Sequence, residues 1–180
     1  MAARLRAIDP TKATGKAKEG LDEVQAAYGM TPNLMRTMAN SPAVLRAYLD
    51  FSGALSKGVL NAKLREQIAL AVSEGNRCEY CLSAHTAIGK MVGLGDTDII
   101  RARQATATDA KVDAGLAFAK KVVQNRASVS DQDIDQLRKV GYADGEIAEV
   151  VANVALTIFT NYLNQVAQTD VDFPKIEPGV

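Results

Sequence analysis

Both cysteines and the single histidine of this 180-residue chain fall in one stretch, Glu74 to His85, which reads EGNRCEYCLSAH. Taken as helical from about Arg77, Cys78, Cys81 and His85 lie at i, i+3 and i+7, on one face and within two turns. That spacing forms a thiol centre locally. A thiolate, not a thiol, is the nucleophile, and a free cysteine near pH 7 is only a few per cent ionised, so something has to lower the pKa. A helix N-terminus, equivalent to roughly half a positive charge, favours the anion on Cys78. The imidazole of His85, one turn beyond Cys81, can take that thiol's proton directly or through a water. Arg77 adds local positive charge.

A nucleophile and its base work better with a third group that orients the base. Glu66 is the candidate, because its helical neighbours Ala62, Ala69 and Leu70 place the carboxylate on an apolar face where an unpaired charge is costly. The preceding helix can return it to the cysteine helix across the Gly75-Asn76 turn, with His85 as recipient. The competing arrangement pairs Glu66 with Lys63 or Arg65, or extends it to water. Other readings of the motif are a zinc site and a purely structural cysteine pair. Zinc normally takes four ligands, and only Cys78, Cys81, His85 and a carboxylate such as Glu66 are on offer. Haem attachment needs histidine directly after the second cysteine, where Leu82 stands.

The elements that position these residues read as helices throughout, with 3.6-residue periodicity and no tight hairpin signals between β-branched runs. The class is all-α, in one domain, a size that suits 180 residues. Leu21, Val24 and Tyr28 mark a first helix stopped by Gly29. Thr31-Pro32 and Ser41-Pro42 open the next two, each with proline just inside a capping residue, and Gly58 closes the second. Asn61 caps a helix ending at Gly75, and Asn76 caps the cysteine helix, which runs to about Met91. Asp96 or Thr97, Thr108, Ser130 and Asp144 start the remaining four. In the last, Ile147, Val150, Val151, Val154, Ala155, Leu156, Ile158 and Phe159 cover most of the circumference. Such a helix is expected to be buried, either centrally or between the core and a subunit interface. The tail TDVDFPKIEPGV, about residues 168–180, reads as an extended arm.

The 21 basic and 21 acidic residues give no net charge and no basic cluster interleaved with aromatics, so nucleic acid is not an expected partner. No apolar run reaches a membrane span and the start has no secretory pattern, so a soluble, cytoplasmic protein without a membrane partner is expected. In a reducing compartment a close cysteine pair reads as catalytic, redox-active or metal-binding rather than as a disulfide scaffold. The glycines of GLGD and GYADG are turn punctuation, since neither follows a strand or carries a suitably placed lysine.

The stretch EQIALAVSEGNRCEYCLSAH resembles the signature of the alkyl hydroperoxidase D and carboxymuconolactone decarboxylase superfamily. In that signature a glutamate, eleven residues, a cysteine, two residues, a cysteine, three residues and a histidine follow one another. Glu66, Cys78, Cys81 and His85 fit it without a gap. The flanking TPNLMRTMANSPAVLRAYLDFSGAL and LTIFTNYLNQVAQTDVDFP also look like family members, so the resemblance covers most of residues 30–174. It implies a multi-helix bundle that assembles as a homo-trimer or hexamer, and a thiol-dependent peroxidase or disulfide-reductase activity of peroxiredoxin-like kind. It further implies that Cys81 attacks a hydroperoxide, Cys78 resolves the sulfenic acid to a disulfide, and His85 and Glu66 relay protons. An external thiol or dithiol then resets the pair, with no organic cofactor and no metal. The helix dipole alone favours Cys78 as the more acidic thiol, so helix physics and family pattern differ on the order. The chain departs from some peroxidase members by carrying Tyr80, a poor base, where they have a second histidine between the cysteines. Gln165 likewise stands where related chains have histidine. The intact pair argues against the decarboxylase reaction itself, which does not rely on two cysteines. The rival of another class is a binding or assembly protein that keeps the motif without turnover.

Overall fold

A computed structural model describes residues 3–180. Within them the chain forms α1 (Gly15–Tyr28), α2 (Asn33–Met38), α3 (Pro42–Ser56), α4 (Ala62–Gly75) and α5 (Glu79–Met91). These are followed by α6 (Asp96–Arg103), α7 (Ala110–Gln124), α8 (Asp131–Lys139) and α9 (Asp144–Ala167). Among the described residues there is no strand, so the all-α expectation holds.

The hub is α4, which packs against α5, α6, α7 and α9. Ile68, Leu70, Val72 and Ser73 are completely buried, with Leu64, Ala69 and Ala71 close to it. Each large apolar side chain removed from water contributes roughly 1.5–3 kcal/mol, so this helix anchors the fold. It starts as expected, the Asn61 carboxamide accepting from Leu64 N–H at 2.9 Å. Around it lies one core made with α6, α7 and the first half of α9. A second core joins α1, α2, α3 and the start of α5, with Val171 and Phe173 of the C-terminal arm packed on it. In that core Gly20 passes close to Leu45, where a Cβ would meet its Cδ2 at 2.8 Å and push the leucine tip aside. Gly29, at φ 71°, stops α1 as the sequence indicates.

Several start signals are shifted by local competition. Pro32 lies one residue before α2 as its cap, with extended ψ, instead of inside the first turn. Asp109, not Thr108, caps α7, because its carboxylate accepts from Val112 N–H at 2.9 Å while the Thr108 hydroxyl is taken by Arg101. Asp144 is the first residue of α9 and not its cap; Glu146 accepts the Ala143 N–H at 2.8 Å and closes that end. Asn76 ends α4 and does not cap α5. Tyr28 is half exposed, unlike Leu21 and Val24.

The largest difference concerns α9, which is not buried all round. Val151, Ala155, Phe159, Tyr162 and Val166 face outward, while Asn153, Thr157, Thr160, Asn161 and Asn164 are buried. The helix surrounded on all sides is α4. Burial followed which elements pack on a helix, not its apolar content alone. Beyond α9 the chain is without helix and runs along the first turns of α5. There Ile176 N–H donates to Ser83 Oγ at 2.9 Å and Lys175 meets Glu79 at 3.5 Å.

Candidate active site

The turn that delivers the cysteines is a helix C-terminal motif of the six-to-one kind. Cys78 N–H donates to the Ser73 carbonyl at 2.9 Å and Arg77 N–H to that of Glu74 at 3.0 Å. Arg77 occupies the left-handed position, φ 54°, where glycine is usual. Cys78 therefore ends one helix and begins the next: its Sγ caps α5, accepting the Cys81 N–H at 3.3 Å. The two sulfurs are free, lie 2.7 Å apart and are buried, with Cys78 1% and Cys81 2% exposed.

Glu66, from the middle of α4, crosses to the cysteine helix as anticipated and meets His85, Oε2 to Nδ1, at 2.7 Å. The alternative partners are elsewhere; Arg65 donates to the Leu60 carbonyl at 2.5 Å. With Nδ1 committed to the carboxylate, Nε2 is the nitrogen left for proton exchange. No direct hydrogen bond joins the ring to either sulfur among the described residues. Instead Glu66, His85 and Cys81 border one cavity of about 390 Å³, walled mainly by apolar groups that include Leu34, Met35, Tyr48 and Phe173. Transfer between imidazole and sulfur is thus a matter of a bridging water or the substrate's own oxygen, the second of the two routes open from spacing alone.

Electrostatics separate the two thiols. Burial alone pushes the Cys81 thiol up, but the Cys78 hydrogen bond, the positive field of His85 and amide bonds from Asn164 and Asn161 bring it to about 7. Cys78, as the donor to Cys81 and as a buried group, is pushed in the opposite direction. Burial works against the His85 cation, yet the Glu66 carboxylate beside it holds the imidazole above its ordinary value. The two shifts act in the same sense, each favouring the charged form of its group, thiolate at Cys81 and imidazolium at His85. The helix N-terminus, which favours the anion on Cys78, is outweighed by the donors converging on Cys81.

Tyr80 stands apart from this set. Its hydroxyl accepts from Leu34 N–H at 3.1 Å, and burial raises its pKa, with Asp172 contributing. Its ring meets Phe173 edge to face at 5.8 Å, so Tyr80 braces α5 against α2 and the arm. Gln165 is also structural here, its Nε2 donating to the Asn76 carbonyl. Among the described residues no group of three or more histidine, cysteine, aspartate or glutamate side chains is arranged to hold a metal ion. Sequence reasoning missed Asn161 and Asn164. The available signal was a set of amides and hydroxyls at positions 153, 157, 161 and 164, helically spaced in an otherwise apolar segment.

The fold and the centre together describe a helical protein with a Cys-x-x-Cys pair, a histidine and a glutamate from the neighbouring helix. Residues 42–124, from α3 through α7, match the carboxymuconolactone decarboxylase family. A 45-residue segment is 53% identical to an uncharacterized protein of Haemophilus influenzae; the match spans 24% of this chain and 40% of that protein. Among solved structures, an alkylhydroperoxidase AhpD core, a peroxidase-related protein from Ralstonia eutropha JMP134, superposes with a TM-score of 0.85. It is 26% identical over 94% of this chain and 92% of that one. A peroxidase-related protein from Silicibacter sp. TM1040 gives 0.80 at 24% identity, covering 92% and 91%. The debrominase Bmp8, solved as a cysteine-to-alanine variant with 2,3,4-tribromopyrrole, gives 0.81 at 19% identity, covering 96% and 93%, a likeness of fold alone. The family match covers α3 to α7, and over nearly the whole chain the likeness to solved structures shows an alkyl hydroperoxidase D-like all-helical fold, here carrying a Cys-x-x-Cys pair.

Proposed function

We propose that the protein is a thiol-dependent peroxidase of peroxiredoxin-like activity that reduces hydroperoxides through a Cys78–Cys81 dithiol and disulfide cycle. The observation that carries this reading is the shared cavity, onto which a low-pKa Cys81 and the Glu66–His85 pair both open. The Cys81 thiolate attacks the peroxide ROOH, forming an S–O bond and breaking O–O. The departing alkoxide takes the proton of the His85 imidazolium, whose charge Glu66 has stabilised. The products are ROH and a Cys81 sulfenic acid. The Cys78 sulfur then displaces the hydroxyl, releasing water and forming the disulfide. An external thiol or dithiol supplies the two electrons that restore both thiols and is itself oxidised to a disulfide. The cycle needs no organic cofactor and suits a reducing, cytoplasmic setting. Assembly as a homo-oligomer belongs to the same reading and is supported by the outward apolar stripe of α9.

The test is dithiol-dependent turnover of a hydroperoxide by wild type, Cys81→Ser and His85→Gln. Activity is expected to vanish in the first variant and to fall by about 10²-fold in the second, the scale of a lost general acid. Equal turnover in Cys81→Ser and wild type overturns the assignment. The ring-sized apolar cavity also favours a second reading, reductive removal of bromide from a brominated aromatic, as the Bmp8 name implies for that protein. There the thiolate takes bromine, the ring carbon gains a proton, and Cys78 expels bromide to form the same disulfide. Bromide release from tribromopyrrole without peroxide turnover would select it.

A further inference from the structure

A buried helix face built of amides and hydroxyls between two apolar cores calls for a reason, and α9 presents one. Asn153, Thr157, Thr160, Asn161 and Asn164 are all less than a tenth exposed. The first three are satisfied on their own helix. Asn153 Nδ2 donates to the Glu149 carbonyl at 2.7 Å, Thr157 Oγ1 to that of Asn153 at 2.8 Å, and Thr160 Oγ1 to that of Thr157 at 2.9 Å. Asn161 and Asn164 reach across to the thiol hairpin instead. Asn161 Oδ1 accepts from Asn76 Nδ2 at 2.9 Å, which turns its own Nδ2 toward Ser73 Oγ, 3.1 Å away, and toward Cys81. Asn164 Nδ2 donates to Cys81 Sγ at 3.2 Å, and its Oδ1 is buried without a partner.

We propose that Asn164 is a catalytic residue: its carboxamide, supported one turn earlier by Asn161, is a fixed donor to the Cys81 sulfur that helps make Cys81 rather than Cys78 the thiolate of the pair. This rests on Cys81 being the attacking sulfur in the cycle above. The titratable neighbours of Cys81 are Cys78, Tyr80 and His85 on its own helix, Glu66 acting through His85 from α4, and Tyr48 on α3. From α9 it meets amides only. A carboxamide has no proton to lose, so this donor persists at pH values where His85 has discharged, and its helix holds it in place before any charge develops. The unpaired Oδ1 is an acceptor available to the S–O–H hydrogen once Cys81 has taken an oxygen atom. A buried acceptor left idle in the reduced protein is otherwise unfavourable, which fits a group used at another stage.

The experiment titrates the reduced proteins by thiolate absorbance near 240 nm and, in parallel, follows iodoacetamide labelling of Cys81 by peptide mass spectrometry. Asn164→Leu keeps the volume and removes the donor; Asn164→Asp keeps the shape and adds a negative charge. The Cys81 midpoint is expected to rise by about one unit in Leu, a tenfold loss of labelling rate at pH 6, and further in Asp, with equal rates at high pH. Asn164→Gln, which restores a carboxamide, should recover part of the shift. Far-UV circular dichroism identifies which variants fold, and Asp carries the test should Leu not fold. Midpoints equal to wild type in folded Leu or Asp variants overturn the proposal. A shifted midpoint in a protein that reduces no peroxide supports the donor role and removes the peroxidase reading alone; peroxide turnover with unshifted midpoints does the reverse.

Discussion

His85 and Cys81 are driven toward opposite charges, and the pH profile of the centre follows from that. With the Cys81 thiol at about 7, its alkylation rate should climb as pH rises from 5.5 to 8 and then level, instead of climbing through 9 as for a free thiol. Stopped labelling with mass spectrometric readout at Cys81 checks this. The imidazole has the reverse sign. Its folded pKa lies above the ordinary 6.5, so the stability from its contact with Glu66 is complete below about pH 6.5 and is lost as pH rises through the folded value. In Glu66→Gln the burial of the ring is no longer opposed by a carboxylate. Its pKa should fall, the Cys81 midpoint should rise, and folding stability at pH 6 should drop by about 1–3 kcal/mol. Because the chain has a single histidine, one imidazole NMR signal followed against pH reports the first effect without assignment.

At the scale of elements, capping predicts a modest and local sensitivity. Asn61 holds the first turn of the hub helix through one bond to Leu64 N–H, so Asn61→Ala should cost about 1 kcal/mol and lower Tm by about 2–4 °C. Calorimetry on the reduced protein measures it. The same elements explain what could be read in advance. Glu66, Cys78, Cys81 and His85 were legible because one helix hairpin contains them all and helical spacing aligns them. Asn164 was not, since 83 residues separate it from Cys81 and asparagine carries no redox signature. Most helix caps were legible to within a residue, shifting where a neighbouring oxygen offered better geometry, as Asp109 does beside Thr108, while α5 starts two residues beyond the expected Asn76 with Cys78 as its cap. The burial of α9 was legible for Ile147, Val150 and Val154 but not for the outward Val151 and Phe159, because composition shows that a helix is apolar but not which side meets α4 and α5.

For the molecule as a whole, the outward row Val151, Ala155, Phe159, Tyr162 and Val166 follows an i, i+4, i+8, i+11, i+15 register, the seam of a helix that packs against a partner. Phe159 is 40% and Tyr162 57% exposed in the isolated subunit. A lone apolar residue on a surface is ordinary, but a continuous strip along one helix is the mark of an interface. Under the proposed homo-oligomer, Phe159→Lys should shift sedimentation toward the 19.2 kDa monomer, while a polar change at exposed Lys139 leaves it unaltered. A wild type that sediments as a monomer at micromolar concentration would remove the assembly from the account.

The cavity touches one sulfur of the pair and not the other: Cys81 is in its wall, and Cys78 is sealed beneath the packing of α5, α9 and the arm. Under the proposed cycle a small oxidant entering the cavity meets Cys81 first, so shape and charge act in the same order. Under the same cycle, a thiol that resets the pair would meet the disulfide from the Cys81 side, the sulfur that the cavity borders.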